Sequence, residues 1–215
     1  MRASTLSSAL AIAIAATGVS GTAMAAEKPW IVRGTMSAMA TDNESDSLRR
    51  ISGTQIRLDN ATSLALNASY LFGEYFGVEF ATALPYEHDL EGNNRLQGLG
   101  VEELADVKQL PATLSLQVHL PTGTAFKPYV GAGVNYTYFY DEDSSVTGLD
   151  VDMEDTWGAA GQLGLDVFLE EDLLLNAEAR YIQMESTAEF SGAINQDVDM
   201  DINPWVFSAG LGYRF

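Results

Sequence analysis

Apolar and polar residues alternate at every second position through eight segments of this chain. In the last segment, aromatic and aliphatic residues from Trp205 to Phe215 share one face, and small or charged residues from Val206 to Arg214 share the other. A period of two is the side-chain period of a β-strand. The pattern therefore predicts eight strands, which lie roughly at residues 29–39, 62–71, 76–86, 110–120, 126–140, 155–168, 173–190 and 202–215.

The connections between these segments alternate between short and long. The long, polar connections are residues 40–61, 87–109, 141–154 and 191–201. Short turns at one end and long loops at the other are typical of an outer-membrane barrel. Because an open sheet would leave edge amides unsatisfied in lipid, strands that cross a bilayer must close. We therefore predict an all-β fold, an eight-stranded antiparallel transmembrane β-barrel with short periplasmic turns and longer extracellular loops.

A soluble barrel of lipocalin type would show the same alternation with its faces reversed. The membrane interpretation is favoured by aromatic residues near strand ends, such as Trp30, Tyr70, Phe126 and Tyr181. Aromatic girdles form at these positions in membrane barrels. The small or charged character of the opposite face favours the same interpretation.

The first 25 residues have the layout of a secretory signal peptide. Arg2 precedes an apolar segment over residues 9–16, and Ala23-Met24-Ala25 follows. We expect cleavage after Ala25, which leaves residues 26–215 as the barrel. The chain has no cysteine, and its formal net charge of −19 disfavours a nucleic-acid partner.

Several blocks of sequence resemble the OmpW family of outer-membrane proteins, whose branches include the AlkL alkane-uptake proteins. The matching blocks are Pro85-Tyr86-Glu87-His88, residues 127–137, residues 155–162 and Gly212-Tyr213-Arg214-Phe215. The resemblance implies an outer-membrane barrel with both termini in the periplasm. It also implies passage of small hydrophobic molecules through a narrow apolar channel that is closed below, with exit sideways through the barrel wall.

The same resemblance implies three kinds of partner. They are small hydrophobic solutes, outer-membrane lipid with lipopolysaccharide, and the barrel assembly machinery. We expect that machinery to recognise the terminal aromatic residues Tyr213 and Phe215. The alternative function is a structural or interaction barrel with a plugged lumen, whose extracellular loops bind phage, bacteriocin or host.

The strand phase predicts which side chains line the channel. The candidates are Arg33, Glu79, Ala81, Gln117, His119, Glu178, Arg180 and Arg214. Because buried charges need partners, we expect the three arginines and two glutamates to form an ionic plug. In the family's best-described branch, a Leu and a Trp form the constriction, and Ala81 and Arg180 align with them. The gate therefore lies elsewhere, with Ile182 and Met184 as candidates, or the channel passes more polar solutes.

Four residues are candidates for a lateral opening in the wall: Pro85, Pro111, Gly131 and Gly133. Proline interrupts ladder hydrogen bonds, and small residues weaken the contact between strands.

The two histidines do not predict an enzyme, because neither presents a nearby hydroxyl nucleophile. We expect His88 in a rim or loop and His119 as a hydrogen-bonding residue of the lumen near the periplasmic end. The loop at residues 141–155 holds seven acidic residues and no basic one, but it lacks the spacing of a calcium-binding loop. A solvated acidic loop is expected, and no metal or cofactor is predicted.

Overall fold

A computed structural model describes residues 28–41, 44–45, 56–58, 60–92, 103–144, 149–192 and 196–215. The predicted signal peptide lies outside these residues. The strands are β1 (Trp30–Ala40), β2 (Glu44–Ser45), β3 (Ile56–Leu58), β4 (Ala61–Phe72), β5 (Phe76–Ala83), β6 (Tyr86–Gly92), β7 (Glu103–His119), β8 (Phe126–Ser144), β9 (Leu149–Met153), β10 (Thr156–Phe168), β11 (Leu173–Gln183), β12 (Glu185–Gly192), β13 (Gln196–Asp201) and β14 (Trp205–Arg214). The described residues contain no helix long and apolar enough to cross a membrane.

Eight of these strands form a closed antiparallel ring. The order around the ring is β1, β4, β5, β7, β8, β10, β11 and β14, and β14 pairs again with β1. Trp30 and Phe215 exchange two backbone hydrogen bonds, with N···O distances of 3.0 and 2.9 Å, where the ring closes. The predicted fold is therefore confirmed.

The two ends of the barrel differ. At the turn end, short connections join the strands, and both chain termini of the barrel meet. Gly73 and Gly123 adopt positive φ angles of 75° and 70° in two of these turns, a conformation that glycine adopts without strain. At the opposite end, which we call the loop end, the strands continue beyond the ring. A second, four-stranded sheet forms there in the order β2-β13-β12-β9, and β6 extends β5.

Strands also occur within the long, polar connections, because parts of residues 87–109, 141–154 and 191–201 are strands in the structure. In β13, Val198 and Met200 are buried and alternate with exposed Asp197, Asp199 and Asp201. The period of two was present, but the acidic residues, which are depleted in strands, concealed it.

The outer surface of the ring is apolar. Its large exposed side chains include Met36, Leu116, Trp157 and Leu163. Aromatic pairs lie toward both ends: Trp30 with Tyr70 at the turn end, and Tyr181 with Trp205 toward the loop end, with ring centroids 5.0 and 5.2 Å apart. This surface is the reverse of a soluble barrel, and it fits a lipid environment with interfacial aromatic girdles.

Candidate functional site

The alternation of each strand directs its polar side chains into the barrel. Seven of the eight candidate channel-lining residues are buried there: Arg33, Glu79, Ala81, Gln117, His119, Glu178 and Arg180. An eight-stranded barrel is just wide enough for such side chains to fill its interior. The interior therefore has to satisfy every charge by contacts between strands.

Arg33 on β1 is the centre of the charged layer, and its side chain is fully buried. Its Nε and Nη2 donate to the two carboxylate oxygens of Asp166 at 2.9 and 2.5 Å. Its Nη1 donates to Glu79 Oε2 at 3.2 Å and to Ser69 Oγ at 2.7 Å. A guanidinium that binds one carboxylate in this two-pronged manner is held in a fixed orientation.

Arg180 on β11 extends the same layer across the lumen. Its Nη2 lies 2.9 Å from Glu79 Oε1 and 2.7 Å from Glu178 Oε1. Gln162 donates to Glu79 Oε1 at 3.0 Å, and the Tyr129 hydroxyl donates to Glu178 Oε2 at 2.8 Å. We call Arg33, Glu79, Asp166, Glu178 and Arg180 the ionic network. Its members come from β1, β5, β10 and β11, so the network spans the lumen.

The membership of the network differs from the expectation at two positions. Arg214 does not join it, because its Nε donates to the backbone oxygen of Lys28 at 2.7 Å near the turn end. Asp166 takes part instead, and Asn176 donates to its Oδ1 at 2.8 Å. The alternation along β10 directs Asp166 into the lumen, but it does not show that this carboxylate lies level with Arg33.

An open vestibule of about 360 Å³ lies at the turn end, below the ionic network. His119, Asp166 and Arg214 are among the residues that line it. The His119 ring stacks on Tyr129 with a centroid distance of 5.1 Å, and its Nε2 lies 3.0 Å from Gln117 Oε1. At the rim, Lys28 pairs with Asp172, and the hydrogen bond to this carboxylate raises the pKa of Lys28.

Toward the loop end the interior holds an apolar group beside neutral polar side chains. Met39, Ala61, Ala83 and Tyr86 form a buried group that we call the apolar cluster. The hydroxyl of Tyr86 lies 2.5 Å from Ser37 Oγ, and Gln109 Nε2 lies 2.7 Å from Met39 Sδ. Ile182 and Met184, the alternative gate candidates, are also buried at this end.

His88 is another residue whose position differs from the expectation. Because β6 continues the strand past Pro85, His88 is buried on the inner face and not placed in a rim or loop. Its ring lies 6.2 Å from that of Tyr86.

The wall is interrupted where β5 passes into β6. On the β7 side, Thr82 pairs with Ala112, and the next pair is Tyr86 with Gln109. Residues 83–85 therefore face only residues 110–111, and we call these five residues the seam. Pro85 and Pro111 lie in it, and neither has an N–H to donate. The β4 side of the same segment stays bonded, since Leu84 N donates to Leu64 O at 2.7 Å.

The two glycine candidates lie in a different environment. Gly131 pairs with Gln117, and Gly133 pairs with Ser115, in an uninterrupted part of the β7–β8 ladder. A Cβ atom at Gly133 would overlap the carbonyl oxygen of Leu114, so glycine is required there for close backbone approach. The structure therefore favours an opening at the two prolines over one at the two glycines.

The remaining predicted sites have mixed outcomes. Tyr213 and Phe215 are exposed at the turn end with ring centroids 6.3 Å apart, and their role in assembly stays a prediction. Most of the acidic loop has no described side chains, but Asp155 accepts hydrogen bonds from the Tyr136 hydroxyl at 2.7 Å and from Phe139 N at 3.1 Å. Among the described residues, no group of three or more acidic or histidine side chains could hold a metal ion.

Comparison with known proteins agrees with the barrel fold. The OmpW family model matches residues 27–215. Outer membrane protein W of Vibrio cholerae is 33% identical over 197 residues, which cover 88% of this chain and 89% of that protein.

Two solved structures are also similar. The crystal structure of OprG from Pseudomonas aeruginosa has a TM-score of 0.79 and 37% identity, over 86% of this chain and 95% of that one. The solid-state NMR structure of AlkL in lipid bilayers has a TM-score of 0.70 and 25% identity, over 91% and 93% of the two chains. These similarities confirm the family resemblance and an outer-membrane location.

Proposed function

Because this chain belongs to the OmpW family of outer-membrane proteins, we propose that it admits small hydrophobic molecules across the outer membrane. Solute enters at the loop end, which faces outward, and both termini lie in the periplasm. It then leaves sideways through the seam into the lipid. The partners of this process are the solute and the surrounding lipid with its lipopolysaccharide leaflet.

The observation that carries this proposal is the position of the seam relative to the ionic network. The apolar cluster lies on the loop-end side of the network, and two of its members, Ala83 and Tyr86, border the seam or lie in it. A solute that reaches the cluster therefore has charged side chains below it and a proline-interrupted wall beside it.

The energies favour the sideways path. Straight passage has to separate buried charge-assisted hydrogen bonds, each worth about 1.5–3 kcal/mol. It also leaves charged groups unpaired in a dry lumen, at a cost of several kcal/mol. At the seam, by contrast, two ladder donors are absent already. An outward path through the wall also lets a hydrophobic solute bypass the polar sugars of lipopolysaccharide.

The test is a disulfide staple beside the seam. The chain has no cysteine, so the paired substitutions Thr82→Cys and Ala112→Cys introduce the only thiols. These residues are Cα partners on β5 and β7. Naphthalene uptake is measured in cells whose own family members are deleted, before and after reduction of the staple. We expect the oxidised barrel to admit naphthalene several-fold more slowly and reduction to restore the rate.

A matched staple controls for loss of general flexibility. Val78 and Leu116 are Cα partners in the same ladder, four residues nearer the turn end. The variant with Val78→Cys and Leu116→Cys should keep the unstapled rate when oxidised. Uptake that is unchanged by the Thr82–Ala112 staple would reject lateral exit at this seam. Uptake no faster than in cells without the protein would reject hydrophobic transport.

The interaction barrel remains as a second candidate, and the sheet at the loop end favours it. Exposed carboxylates lie directly opposite one another there, as in the pairs Glu185–Asp201 and Glu189–Asp197. Such a projecting acidic face is suited to a protein partner with a basic surface. A variant in which these four residues are changed to Gln or Asn should lose phage, bacteriocin or host binding and keep uptake if both functions exist. Loss of binding in a barrel that never admits solute would favour the interaction function alone.

A further inference from the structure

We propose that the vestibule at the turn end is a binding site for a small apolar carboxylate, and that Lys127 and Arg214 hold its anionic head. Both residues line this open cavity of about 360 Å³. Its volume lies in the range of natural small-molecule sites, so it has room for a molecule such as benzoate. The ionic network separates the vestibule from the apolar cluster, so this site is distinct from the solute path proposed above. The proposed orientation opens it to the periplasm.

The first observation is that the ammonium group of Lys127 has no acceptor of its own. Lys127 on β8 is half-buried, and its Nζ makes no hydrogen bond or ion pair with any described residue. Its Cα partner on β10 is Asp166, and opposite charges at directly paired positions attract one another. That carboxylate is already bound by Arg33 at 2.9 and 2.5 Å and by Asn176 at 2.8 Å. Lys127 therefore contributes an unpaired positive charge to the vestibule wall.

The second observation is that Arg214 on β14 also keeps free donors. Its Nε donates to the backbone oxygen of Lys28 at 2.7 Å, but its two Nη nitrogens make no hydrogen bond or ion pair within the part of the chain that the structure describes. Its backbone N donates to the backbone oxygen of Asp172 at 2.9 Å, yet the Asp172 carboxylate pairs with Lys28. The Nη donors of an arginine suit a carboxylate, which accepts two parallel hydrogen bonds from them.

The acidic residues of the vestibule do not neutralise these two cations. Four carboxylates line the cavity: Glu74, Asp166, Glu171 and Asp172. Two of them, Asp166 and Asp172, are paired with Arg33 and Lys28. The other two lie in exposed turns at the mouth, where water and salt screen their charge. The unpaired positive charge is therefore on the strands of the wall, and the unpaired negative charge is at the rim.

The remaining wall of the vestibule is largely apolar, and it selects the other part of the ligand. The apolar lining residues are Ile31, Leu71, Leu120, Pro121 and Phe168. Ligand sites commonly combine such walls with a few polar groups that fix the orientation of the ligand. An inorganic anion would pair with the two cations but leave these side chains in water. An aromatic or short aliphatic carboxylate covers them as well, and removing apolar surface from water is favourable.

The test compares three ligands of similar shape and different charge: benzoate, benzamide and benzylammonium. Each is titrated into the unmodified barrel in lipid nanodiscs, and binding is measured by saturation-transfer NMR with empty nanodiscs as the blank. We expect benzoate to bind about tenfold or more tightly than benzamide, as hydrogen bonds from charged donors predict. Benzylammonium should bind more weakly than either, because it meets two unpaired cations.

Two variants and a matched control locate the site. Lys127→Gln and Arg214→Gln each remove one unpaired charge, and each should weaken benzoate binding about tenfold while benzamide binding stays unchanged. Lys108→Gln changes the net charge of the chain by the same amount, but Lys108 pairs with Glu87 on the loop side of the barrel. This control variant should bind benzoate as wild type does. If Arg214→Gln fails to fold, Lys127→Gln and the three ligands still decide the question.

Several results would overturn the proposal. If benzamide or benzylammonium binds as tightly as benzoate, the acids at the rim and not the two cations set the preference. If Lys127→Gln leaves benzoate binding unchanged, or if Lys108→Gln weakens it equally, the carboxylate is not held in the vestibule. Naphthalene uptake is measured in parallel, with and without saturating benzoate, and should not change. Loss of uptake on benzoate binding would contradict a site distinct from the solute path, whereas a barrel that binds benzoate and never admits naphthalene would keep the site and reject only the transport function.

Discussion

The two halves of the lumen are built from the same strands but filled in opposite ways. On the turn side, Arg33, Glu79 and their partners hold one another by short, charge-assisted hydrogen bonds. On the loop side, Met39, Tyr86 and Met184 are buried, and the side chains that hydrogen-bond to Met39 and Tyr86 are the neutral Gln109 and Ser37. Charge-assisted bonds fix geometry, whereas methionine side chains adapt to irregular shapes. The rigid, charged part of the lumen and its adaptable part therefore lie at different heights along the barrel axis.

The largest loss of stability is expected when the ionic network on the turn side is disrupted. Arg33→Ala leaves Asp166 without its two-pronged partner and removes one of the two cations from Glu79. Removing one partner from a buried ion pair costs about 3–5 kcal/mol, because the remaining charge is unpaired. Urea unfolding of the purified barrel in lipid vesicles should show this loss. A free energy of unfolding within 1 kcal/mol of wild type (roughly the value of a surface pair) would mean that the network does not hold the lumen closed.

A double-mutant cycle sharpens the same comparison. Glu79→Gln and Arg180→Gln each leave a charged neighbour behind, whereas the double variant removes both charges of the pair. We expect a coupling free energy of about 1–3 kcal/mol, so that the two single costs sum to more than the double cost. Met39→Leu with Arg180→Gln serves as the control pair, since the two changes lie in different halves. Additive costs for Glu79 and Arg180 would contradict a coupled network.

The loop-side half should tolerate replacement at constant volume. Met184→Leu keeps the apolar surface, and such exchanges cost less than about 1.5 kcal/mol. Urea unfolding in lipid vesicles measures this change in the free energy of unfolding. Naphthalene uptake should remain within twofold of wild type. A loss as large as that of Arg33→Ala would show that this half is as rigidly specified as the network.

The smallest effect is expected at the contact between the halves. Tyr86→Phe removes one neutral hydrogen bond, to Ser37 Oγ, worth about 1 kcal/mol. Ser37→Ala removes the same bond and also the one that Ser37 Oγ donates to the backbone oxygen of Ser63 at 3.0 Å, so its cost should be somewhat larger. The double variant should cost little more than Ser37→Ala alone, and costs that add fully would indicate that the Tyr86 hydroxyl has another partner.

Most of the fold and the facing of its side chains could be predicted, because the strand period assigns each residue to one face. Glu79, Glu178 and Arg180 therefore lie inside as expected. The height of each side chain along the barrel axis could not be predicted, because it depends on how neighbouring strands are staggered. For this reason the predicted plug omits Asp166 and includes Arg214. The one-residue shift in pairing between Thr82–Ala112 and Tyr86–Gln109, which places both prolines in the seam, is likewise not encoded by alternation.

The central claim is that the barrel is closed to water and ions along its axis but open sideways to hydrophobic solutes. One preparation of purified protein tests both parts, in bilayers whose outer leaflet is lipopolysaccharide. Ion conductance and naphthalene transfer are recorded for the same protein-to-lipid ratio. Protein-dependent naphthalene transfer with little steady conductance is the predicted result. Large steady conductance without naphthalene transfer would contradict the account, because it would show a continuous polar pore through the network.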